Sequence, residues 1–371
     1  MNLANKVTLM IDNLSGGGAQ KVCVSVANGL VELGWEVDLI ILNNNNTTYH
    51  DFLSKEINLK KLNVKHSRYS ILLLLKYIFQ EKPKLFLIFN YEFTVILNML
   101  KSIFKFKFKI LSRNINTFSE KQKELKNKNF WSKRVVVSLV NWFYFKSDYI
   151  INQCFSMQND LIKVYPNIKS KTSVIYNPVA KNIIDYLGRQ DLSKIRKKNY
   201  LLCVGRLEKQ KGFHYAIKSF ANIVEKFPDL RLKILGVGSL EKELKKKTSE
   251  LGIENRVDFE GFQKDIISYY LYARATLLTS LYEGFPNCII ESISMGTPVV
   301  AFDCPSGPSE IIKNGINGYI VRHKDANDLN DKVFSVLSGK FDIEKMSFTV
   351  KKHHPDIVME YYDKILKQFI F

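Results

Sequence analysis

Short apolar segments rich in β-branched residues alternate with longer amphipathic segments along most of this chain. The short segments predict buried strands and the longer ones predict helices, because apolar residues recur in the latter at helical spacing. Strands are predicted at residues 7–11, 36–42, 85–89, 109–112, 148–152, 173–176, 200–204, 231–235, 256–259, 275–279, 298–302 and 318–321, and helices at 19–33, 213–227, 240–251 and 355–371. This alternation predicts parallel sheets covered by helices on both faces.

A polar, charged stretch at residues 181–198 divides the alternation into two blocks, and we interpret it as a linker. Residues 1–180 and 199–354 are each predicted to form a doubly wound, Rossmann-like α/β domain, and the helix at 355–371 could cross back to the first domain. Such sheets bind ligands beyond the carboxyl ends of their strands. We therefore expect two domains that face each other across a cleft, with the ligand in that cleft.

The composition indicates a protein of a reducing compartment. Its five cysteines are odd in number and include no C-x-x-C pair, which argues against a disulfide framework and a structural zinc site. The N-terminus lacks the layout of a signal peptide. The apolar run at residues 71–79 contains Lys76 and has about half the length that spans a bilayer. We expect a cytoplasmic protein without a signal peptide or a transmembrane helix.

Positive charge is concentrated in the first half of the chain. The net charge is +19, and eleven basic residues but only two acidic ones lie between Lys60 and Lys109. Such a local excess favours an anionic partner, which could be a phospholipid surface, nucleic acid or phosphate groups. A solvated basic face on a lysine-rich protein is the alternative.

Three consecutive glycines, Gly16, Gly17 and Gly18, lie between the first predicted strand and the first predicted helix. Glycine lets the backbone approach a ligand closely, and a helix N-terminus offers N–H groups to an anion. The loop is not G-x-G-x-x-G, and no acidic residue ends the second strand, which argues against a dinucleotide cofactor. A plain tight turn is the alternative to a ligand-binding loop.

Two cations follow the first strand of the second block. That strand is followed directly by Gly205. Arg206 comes next and Lys211 follows five residues later. An arginine can bind phosphate oxygens in a bidentate manner, and a lysine adds a point charge. Together they could stabilise the negative charge that develops on a diphosphate leaving group. The alternative is a pair of surface cations beside a loop.

The segment SLYEGFPNCIIE, which ends at Glu291, carries the strongest chemical signal. Gly284 and Pro286 make a rigid loop before a helix that is predicted to begin near Asn287. Backbone N–H groups and the helix dipole favour hydroxyls or phosphate at such a place. The Glu291 carboxylate suits two ribose hydroxyls, and Glu283 could bind sugar hydroxyls. One glutamate could be a solvated charge, but two that frame this loop are harder to explain in that way.

Taken together, and in the same order along nearly the whole chain, these motifs resemble the family 4 retaining glycosyltransferases, which have the GT-B fold. Glu283 and Glu291 match the E-x7-E motif of that family, and Asn177-Pro178-Val179 matches its interdomain signature. The joint match is specific, although each motif alone is not. The resemblance implies two Rossmann-like domains and a nucleotide-diphosphate sugar as the donor.

The resemblance also implies a role for each motif. Arg206 and Lys211 would bind the donor diphosphate, and Glu291 would bind the ribose. Glu283 and the loop after it would contact the donor sugar, so that Glu283, Arg206 and Lys211 form the catalytic set. The implied donor-binding residues are Gly16, Gly17, Gly18, Arg206, Lys211, Phe262, Gln263, Glu283, Gly284, Phe285, Pro286, Asn287 and Glu291, with Phe262 and Gln263 near the base.

One position departs from the family pattern. Many members carry a histidine near the reacting sugar after a middle strand of the first domain, where this chain has Leu111-Ser112-Arg113-Asn114. Arg113 or Asn114 could contact the sugar or the acceptor instead. The resemblance implies a retaining, front-face mechanism in which the leaving phosphate helps to deprotonate the acceptor. Such a mechanism requires no general base from the protein.

No metal or other cofactor is expected. The chain contains no D-x-D sequence, and Arg206 and Lys211 could take the place of a divalent ion on the diphosphate. The six histidines show no metal-ligand spacing. The pair His353-His354 lies in a charged tail and is expected to be solvated.

Cations alternate with aromatic residues between Lys101 and Lys109, and four further residues of this kind follow at Trp131, Lys133, Arg134 and Trp142. Basic and aromatic side chains both favour an anionic membrane surface. We hypothesise that the first domain docks on the cytoplasmic leaflet through this patch, whose basic residues are Lys101, Lys105, Lys107 and Lys109. The alternative is a strand with one buried aromatic face and one basic face.

The function predicted from the sequence is transfer of a hexose or N-acetylhexosamine from a nucleotide sugar, most simply a UDP sugar, to a lipid-linked or glycan acceptor. Capsule or lipopolysaccharide synthesis is the expected context. A nucleotide-sugar epimerase on the same fold, which would need further titratable groups, is one alternative. A nucleotide-sugar binder without turnover is another. A nucleic-acid-binding module would leave the two glutamates unexplained and lacks a recognition motif, so no nucleic-acid partner is expected.

Overall fold

A computed structural model describes most of the chain, namely residues 5–43, 48–115, 117, 119 and 138–370. Its contacts divide the chain into two units. Unit 1 comprises Met1–Ala180 and Pro355–Phe371, and unit 2 comprises Lys181–His354. The stretch that we interpreted as a linker therefore lies within unit 2.

Parallel strands form one sheet in each unit of the described chain. They are β1 Lys6–Ile11, β2 Glu36–Ile41, β3 Asn58–Lys61, β4 Leu85–Ile88, β5 Lys109–Arg113, β6 Tyr149–Asn152, β7 Thr172–Val174, β8 Tyr200–Val204, β9 Arg231–Leu235, β10 Val257–Gly261, β11 Ala275–Leu278, β12 Val299–Phe302 and β13 Gly318–Val321. The strand order is β3-β2-β1-β4-β5-β6-β7 in unit 1 and β10-β9-β8-β11-β12-β13 in unit 2. Each sheet is wound first to one side and then to the other, which confirms the predicted α/β fold class with two doubly wound, Rossmann-like sheets.

Helices follow most of these strands. Those described are α1 Gly18–Glu32, α2 Ile71–Glu81, α3 Tyr91–Phe104, α4 Phe155–Val164, α5 Lys181–Leu187, α6 Phe213–Val224, α7 Glu241–Glu250, α8 Ile267–Tyr272, α9 Asn287–Ser294, α10 Pro308–Ile311, α11 Ala326–Ser338, α12 Ile343–Val350 and α13 Pro355–Lys367. Within this described part, no helix is long and apolar enough to cross a bilayer.

Helices cover both faces of the sheet in unit 1. Leu9 and Leu39 lie in a core with α1 and α13, whereas Met10 and Ile40 lie in a core with α2 and α3. All four side chains are fully buried. Burial on both faces explains why these strands are continuous apolar runs in the sequence and do not alternate with polar residues.

The core of unit 2 is built in a similar way. Phe220 of α6 and Val333 of α11 are fully buried and belong to one apolar cluster with the strand residues Leu201, Leu232 and Val300. This rigid sheet fixes the positions at which its carboxyl ends release the loops that follow.

Several elements lie at positions for which the sequence analysis gave no bounds, and β3 and α5 show why. The edge strand β3, with the sequence NLKK, is half exposed, so it carries no apolar run to signal it. Helix α5 lies at the start of the predicted linker, and of its seven residues only Ile183 is buried. Both depend on contacts with the rest of their unit, which local apolar periodicity does not report.

Candidate functional site

The strand order of unit 2 brings two loops side by side. β8 pairs directly with β11, although the chain first forms β9 and β10 on the other side of β8. The loops after β8 and β11, residues 205–212 and 279–286, therefore leave the same edge of the sheet where the winding direction reverses. This is the position at which doubly wound sheets bind their ligands.

Close backbone contacts shape the loop after β8. The Leu207 N–H donates to the carbonyl oxygen of Val237 at 3.0 Å. A Cβ atom on Gly236, which has a φ of +134°, would lie 1.9 Å from the carbonyl oxygen of Gly205. Only glycine fits there. The loop after β9 thus packs against the loop that carries Arg206, whose side chain is exposed.

Lys211 and Glu283 form a mostly buried ion pair across the two loops. The Lys211 Nζ and Glu283 Oε1 atoms are 2.6 Å apart, and the two side chains are 17% and 7% exposed. The Ser280 hydroxyl donates to the same carboxylate oxygen at 2.6 Å. The sequence assigned the lysine and the glutamate to different parts of a donor, and the structure brings them into direct contact.

The surroundings of Lys211 keep it charged. Burial lowers the pKa of Lys211, but the charge of Glu283 and the hydrogen bond to it raise that pKa above its ordinary value. Arg206 lies five residues earlier in the same loop, and its charge acts to lower the pKa of Lys211. The pair therefore offers a guanidinium and an ammonium to an anionic ligand.

Cys288 lies among these charges in the first turn of α9. Burial raises the pKa of its thiol to about 12, while Lys211 acts to lower it and Glu283 and Glu291 act to raise it. The thiol is therefore protonated near neutral pH and is not poised as a nucleophile. Lys211, Glu283 and Glu291 thus belong to the two loops and the helix at this edge of the sheet.

Glu291 lies one turn further along α9, with 5% of its surface exposed. The hydroxyl of Tyr270, in α8, donates to its Oε2 atom at 3.2 Å. A buried carboxylate at the edge where ligands bind is suited to accept hydrogen bonds from ligand hydroxyls. The structure thus places Glu291 in the helix that follows the loop carrying Glu283, and its role in ligand binding stays a prediction.

The loop after β12 supports the loop that carries Glu283. The Ser306 hydroxyl donates to the Glu283 carbonyl oxygen at 2.6 Å. Ser306 has a φ of +62°, which is uncommon for a residue other than glycine. A Cβ atom on Gly307 would lie 2.6 Å from Cδ of Pro286. Strained backbone of this kind persists where surrounding contacts fix it, and it is common at functional sites.

The other predicted residues of this loop lie beside the ion pair. Gly284 and Phe285 are buried, and Asn287 begins α9. The Phe285 ring lies 5.4 Å from the ring of His353. His353 is fully buried, so the expectation that it is solvated was wrong, because the turn after α12 packs it against this loop. His354 is half-buried.

Phe262 and Gln263 follow β10, two strands away from β8 at the same edge of the sheet. The Phe262 side chain is half exposed. The Gln263 side chain donates to the carbonyl oxygen of Glu260 at 2.6 Å. The structure thus leaves an exposed aromatic ring beyond β10, apart from the ion pair.

The glycine loop belongs to unit 1 and is described with that unit alone. Gly17 caps the N-terminus of α1, and its carbonyl oxygen accepts from the N–H of Lys21 at 3.0 Å. The loop leaves the carboxyl end of β1 beside β4, where the winding of the first sheet reverses. Gly16 and Gly18 are exposed there.

Arg113 and Asn114, the candidates for sugar or acceptor contact, are buried in unit 1 with 2% and 7% of their surface exposed. Arg113 donates to the Tyr362 hydroxyl at 2.5 Å and to the side chain of Asn177. Asn114 donates to the side-chain oxygen of Asn152 at 3.2 Å. These internal hydrogen bonds favour a structural role for both residues.

Four supporting residues were not identified from the sequence. Ser280 precedes Glu283 by three residues, and Gly236 directly follows a predicted strand, so both carried a usable signal. Ser306 and Tyr270 contact partners 23 and 21 residues away. No local pattern reports such contacts.

The arrangement supplies two cations and two carboxylates at one edge of the second sheet. In the part of the chain that the structure describes, no three His, Cys, Asp or Glu side chains are grouped to hold a metal ion. Independence from metal stays a prediction.

Two family models match this chain, and together they span most of it. Residues 16–182 match the model described as Glycosyltransferase Family 4, and residues 188–353 match the model described as Glycosyl transferases group 1.

Individual proteins are similar at low identity. An uncharacterized glycosyltransferase of Methanocaldococcus jannaschii is 29% identical over 58% of this chain and 52% of that protein, so the chain spans about half of that relative. The N-acetylgalactosamine-N,N'-diacetylbacillosaminyl-diphospho-undecaprenol 4-alpha-N-acetylgalactosaminyltransferase of Campylobacter jejuni is 28% identical over 87% of this chain and 88% of that protein. The structure of Anabaena HepE with UDP and glucose superposes with a TM-score of 0.75 at 19% identity, covering 98% of this chain and 100% of that one. This last similarity shows the fold.

Proposed function

Because the chain belongs to the family 4 type of glycosyltransferases with the GT-B fold, we propose that it transfers a hexose or N-acetylhexosamine from a UDP-linked donor with retention of configuration. The observation that carries this proposal is the cluster of Arg206, Lys211, Glu283 and Glu291 beyond β8 and β11. Cations complement a diphosphate, and carboxylates complement ribose and sugar hydroxyls.

The two cations bind the donor diphosphate in this proposal. Arg206 presents an exposed guanidinium, and Lys211 presents an ammonium that Glu283 keeps charged. As the bond between the sugar and the diphosphate breaks, negative charge grows on the leaving phosphate. Fixed cations stabilise the transition state, in which this charge develops, more than they stabilise the bound donor. They therefore lower the activation free energy of transfer. In this role they take the place of a divalent metal ion.

The carboxylates and the loop between them bind the rest of the donor. Glu283 accepts hydrogen bonds from sugar hydroxyls while Lys211 and Ser280 fix its orientation. Gly284, Phe285, Pro286 and Asn287 line the sugar side of the site. Glu291 binds the ribose, and the exposed ring of Phe262 beside Gln263 packs on the base. A donor-binding role for the loop at Gly16, Gly17 and Gly18 of unit 1 stays a prediction.

Retention follows from attack on the face that the diphosphate leaves. The acceptor oxygen forms its bond to the anomeric carbon as the bond from that carbon to the phosphate oxygen breaks. The acceptor proton passes to the leaving phosphate. No protein side chain is needed as a general base, which agrees with the absence of the family histidine and with the burial of Arg113 and Asn114.

The acceptor is proposed from the names of relatives and from a surface of unit 1. The Campylobacter relative is named for an acceptor linked to undecaprenyl diphosphate. We assign this chain a lipid-linked or glycan acceptor in cell-surface polysaccharide synthesis, such as that of capsule or lipopolysaccharide. The protein would act from the cytoplasm at the inner face of the membrane.

The surface proposed to meet the membrane differs from the patch predicted from the sequence. Lys101 and Lys109 pair with Asp148 at 2.6 and 3.4 Å, and Phe108 is buried. Of the four predicted lysines, Lys105 and Lys107 are exposed and form no ion pair with another described residue, so we keep only these two in the proposed basic face. Trp131, Lys133 and Arg134 lie outside the described residues, whereas Trp142 is exposed.

Helices α2 and α3 add exposed apolar side chains to this face. We name the α2–α3 surface by its large exposed members, which are Leu72, Leu73, Phe79, Ile103 and Phe104. Phe79 and Phe104 each contact the ring of Phe106, with centroid distances of 5.4 and 5.6 Å. The carboxyl ends of the two helices thus meet in one aromatic cluster around Phe106.

Lys76 lies on α2, Lys105 directly follows α3, and Lys107 lies in the loop before β5, and all three are exposed. Apolar side chains beside cations complement an anionic lipid surface. The α2–α3 surface is therefore the part of unit 1 that we assign to the membrane.

We expect the protein to float with vesicles that contain anionic lipid and to stay in solution with neutral vesicles. The double variant Lys105→Glu/Lys107→Glu should weaken binding by roughly thirtyfold or more, because each basic residue contributes about 1 kcal/mol near such a surface. The matched control is Lys242→Glu/Lys246→Glu on α7 of unit 2, which makes the same charge change at two exposed lysines elsewhere on the protein. Equal loss in both variants would assign the binding to net charge alone and contradict the docking surface.

The donor site is tested by a screen of UDP- and GDP-linked sugars. A UDP sugar should raise the melting temperature of the protein, since a ligand that binds only the folded state stabilises it. Arg206→Ala and Glu291→Ala should remove this shift and lower transfer by about a hundredfold or more. Arg256→Ala, at the opposite edge of the same sheet just before β10, should leave both unchanged. Normal transfer in Arg206→Ala and Glu291→Ala would reject the site.

A further inference from the structure

The carboxylate of Glu291 has a tyrosine hydroxyl behind it. Tyr270 is fully buried, and its hydroxyl donates to Oε2 of Glu291 at 3.2 Å. The two residues come from different helices, α8 and α9. A hydrogen bond from a neutral donor to a buried carboxylate is stronger than one between neutral groups, so this contact favours one orientation of the Glu291 side chain.

Tyr270 is itself fixed at its backbone. Its N–H donates to the carbonyl oxygen of Ile266 at 3.1 Å, and its carbonyl oxygen accepts from the Thr297 hydroxyl at 2.5 Å. Lys197 donates to the same Thr297 hydroxyl at 2.5 Å and to the carbonyl oxygen of Leu271 at 2.8 Å. The end of α8 that carries the tyrosine is therefore hydrogen-bonded to Thr297, in the turn before β12, and to Lys197, in the segment before β8.

We propose that Tyr270 is a positioning residue, which holds Glu291 in the orientation in which its carboxylate accepts hydrogen bonds from the ribose of the donor. The proposal rests on the function proposed above. A glutamate side chain has several rotatable bonds, so a carboxylate that is not held must be ordered when the nucleotide binds. Ordering it in advance strengthens binding without any contact between Tyr270 and the nucleotide.

The test compares UDP with 2′,3′-dideoxy-UDP, which lacks both ribose hydroxyls, by calorimetric titration of the full chain. Wild type should bind UDP more tightly than the dideoxy compound. Tyr270→Phe should weaken UDP binding about tenfold, as expected for loss of a hydrogen bond to a charged group. Binding of dideoxy-UDP should change by less than about twofold, since the orientation of Glu291 matters only when ribose hydroxyls are present.

Tyr200→Phe is the matched control. Tyr200 is also buried, and its hydroxyl donates to the carbonyl oxygen of Tyr269 at 2.7 Å, so it anchors the backbone of the same helix, α8, and not the Glu291 carboxylate. Both phenylalanine variants lose one internal hydrogen bond and should lower the melting temperature by similar amounts. Only Tyr270→Phe should lose preference for UDP over dideoxy-UDP.

The outcomes separate this inference from the proposed function. Equal weakening of both ligands by Tyr270→Phe, or no weakening of UDP binding, would overturn the positioning role. If Glu291→Ala removes the preference for UDP while Tyr270→Phe keeps it, the ribose assignment stands and the positioning role falls. A wild type that binds both compounds equally, or binds neither, would overturn the proposed function and this inference with it.

Discussion

Replacing Lys211 by methionine is expected to lower the rate of sugar transfer about a thousandfold, which is the upper range for losing one preorganised group that stabilises transition-state charge. Lys211 is the more buried of the two cations, so water screens its charge less than that of Arg206. Glu283 holds the pKa of Lys211 above its ordinary value, so the loss should not vary between about pH 6 and pH 9. Steady-state kinetics with a UDP sugar would measure it.

The same substitution should also destabilise unit 2 by about 3 kcal/mol, because it leaves the Glu283 carboxylate buried without its cation. Lys211→Met/Glu283→Gln should recover most of this stability, since no uncompensated charge remains, but it should not recover transfer. Chemical denaturation measures the first effect and turnover the second.

Lys209→Met provides the control, because Lys209 is exposed in the same turn two residues earlier. Stability and activity that return together in the double variant would show that Lys211 acts only through the fold. Such a result would contradict its assignment to the diphosphate.

Replacing Gly212 by alanine is expected to cost about 4 kcal/mol of folding free energy. Gly212 has a φ of +59°, and a Cβ atom there would lie 2.2 Å from the carbonyl oxygen of Thr279. The left-handed backbone alone costs an alanine about 1–2 kcal/mol. The remainder comes from forcing apart the two loops of the site, a change that should also weaken UDP binding because Lys211 is the preceding residue.

Gly252→Ala separates these two contributions. Gly252 has a φ of +67°, and nothing lies within 4 Å of a Cβ atom built on it. This variant should therefore lose only the 1–2 kcal/mol of backbone strain and keep its affinity for UDP. Denaturant unfolding and UDP titration measure both variants. If Gly212→Ala and Gly252→Ala lost the same stability, the loops after β8 and β11 would have moved apart to accommodate the Cβ atom at residue 212. Their close contact would then contribute nothing to the stability of the fold.

Much of the site could be predicted from the sequence because its elements are local. Strands buried on both faces leave continuous apolar runs, and the residues after each run must lie at the carboxyl edge of a parallel sheet. This reasoning predicted that Arg206, Lys211, Glu283 and Glu291 lie at one edge of the second sheet. It also led to two doubly wound sheets, which the structure confirms.

The contacts between these residues could not be predicted in the same way. Whether Lys211 meets Glu283 depends on β8 lying beside β11, and this strand order is set by packing of the whole unit. The basic–aromatic stretch illustrates the same limit. Its alternating pattern was compatible with a strand, yet its first residues belong to α3, which ends at Phe104. Asp148 lies 47 residues after Lys101 in the chain and forms an ion pair with it.

The sequence by itself determined the two α/β sheets, the loops that carry the cations and carboxylates, and the excess of positive charge in the first half, because each is written in periodicity, spacing or composition. Only the tertiary structure decided which charges pair and that the Tyr270 hydroxyl donates to Glu291. It also decided that Gly236 lies against the carbonyl oxygen of Gly205, and that Arg113 and Asn114 are buried in unit 1. The physical reason is that a side-chain contact requires two distant segments to meet, and the free energy that brings them together belongs to the packed core as a whole and not to either segment.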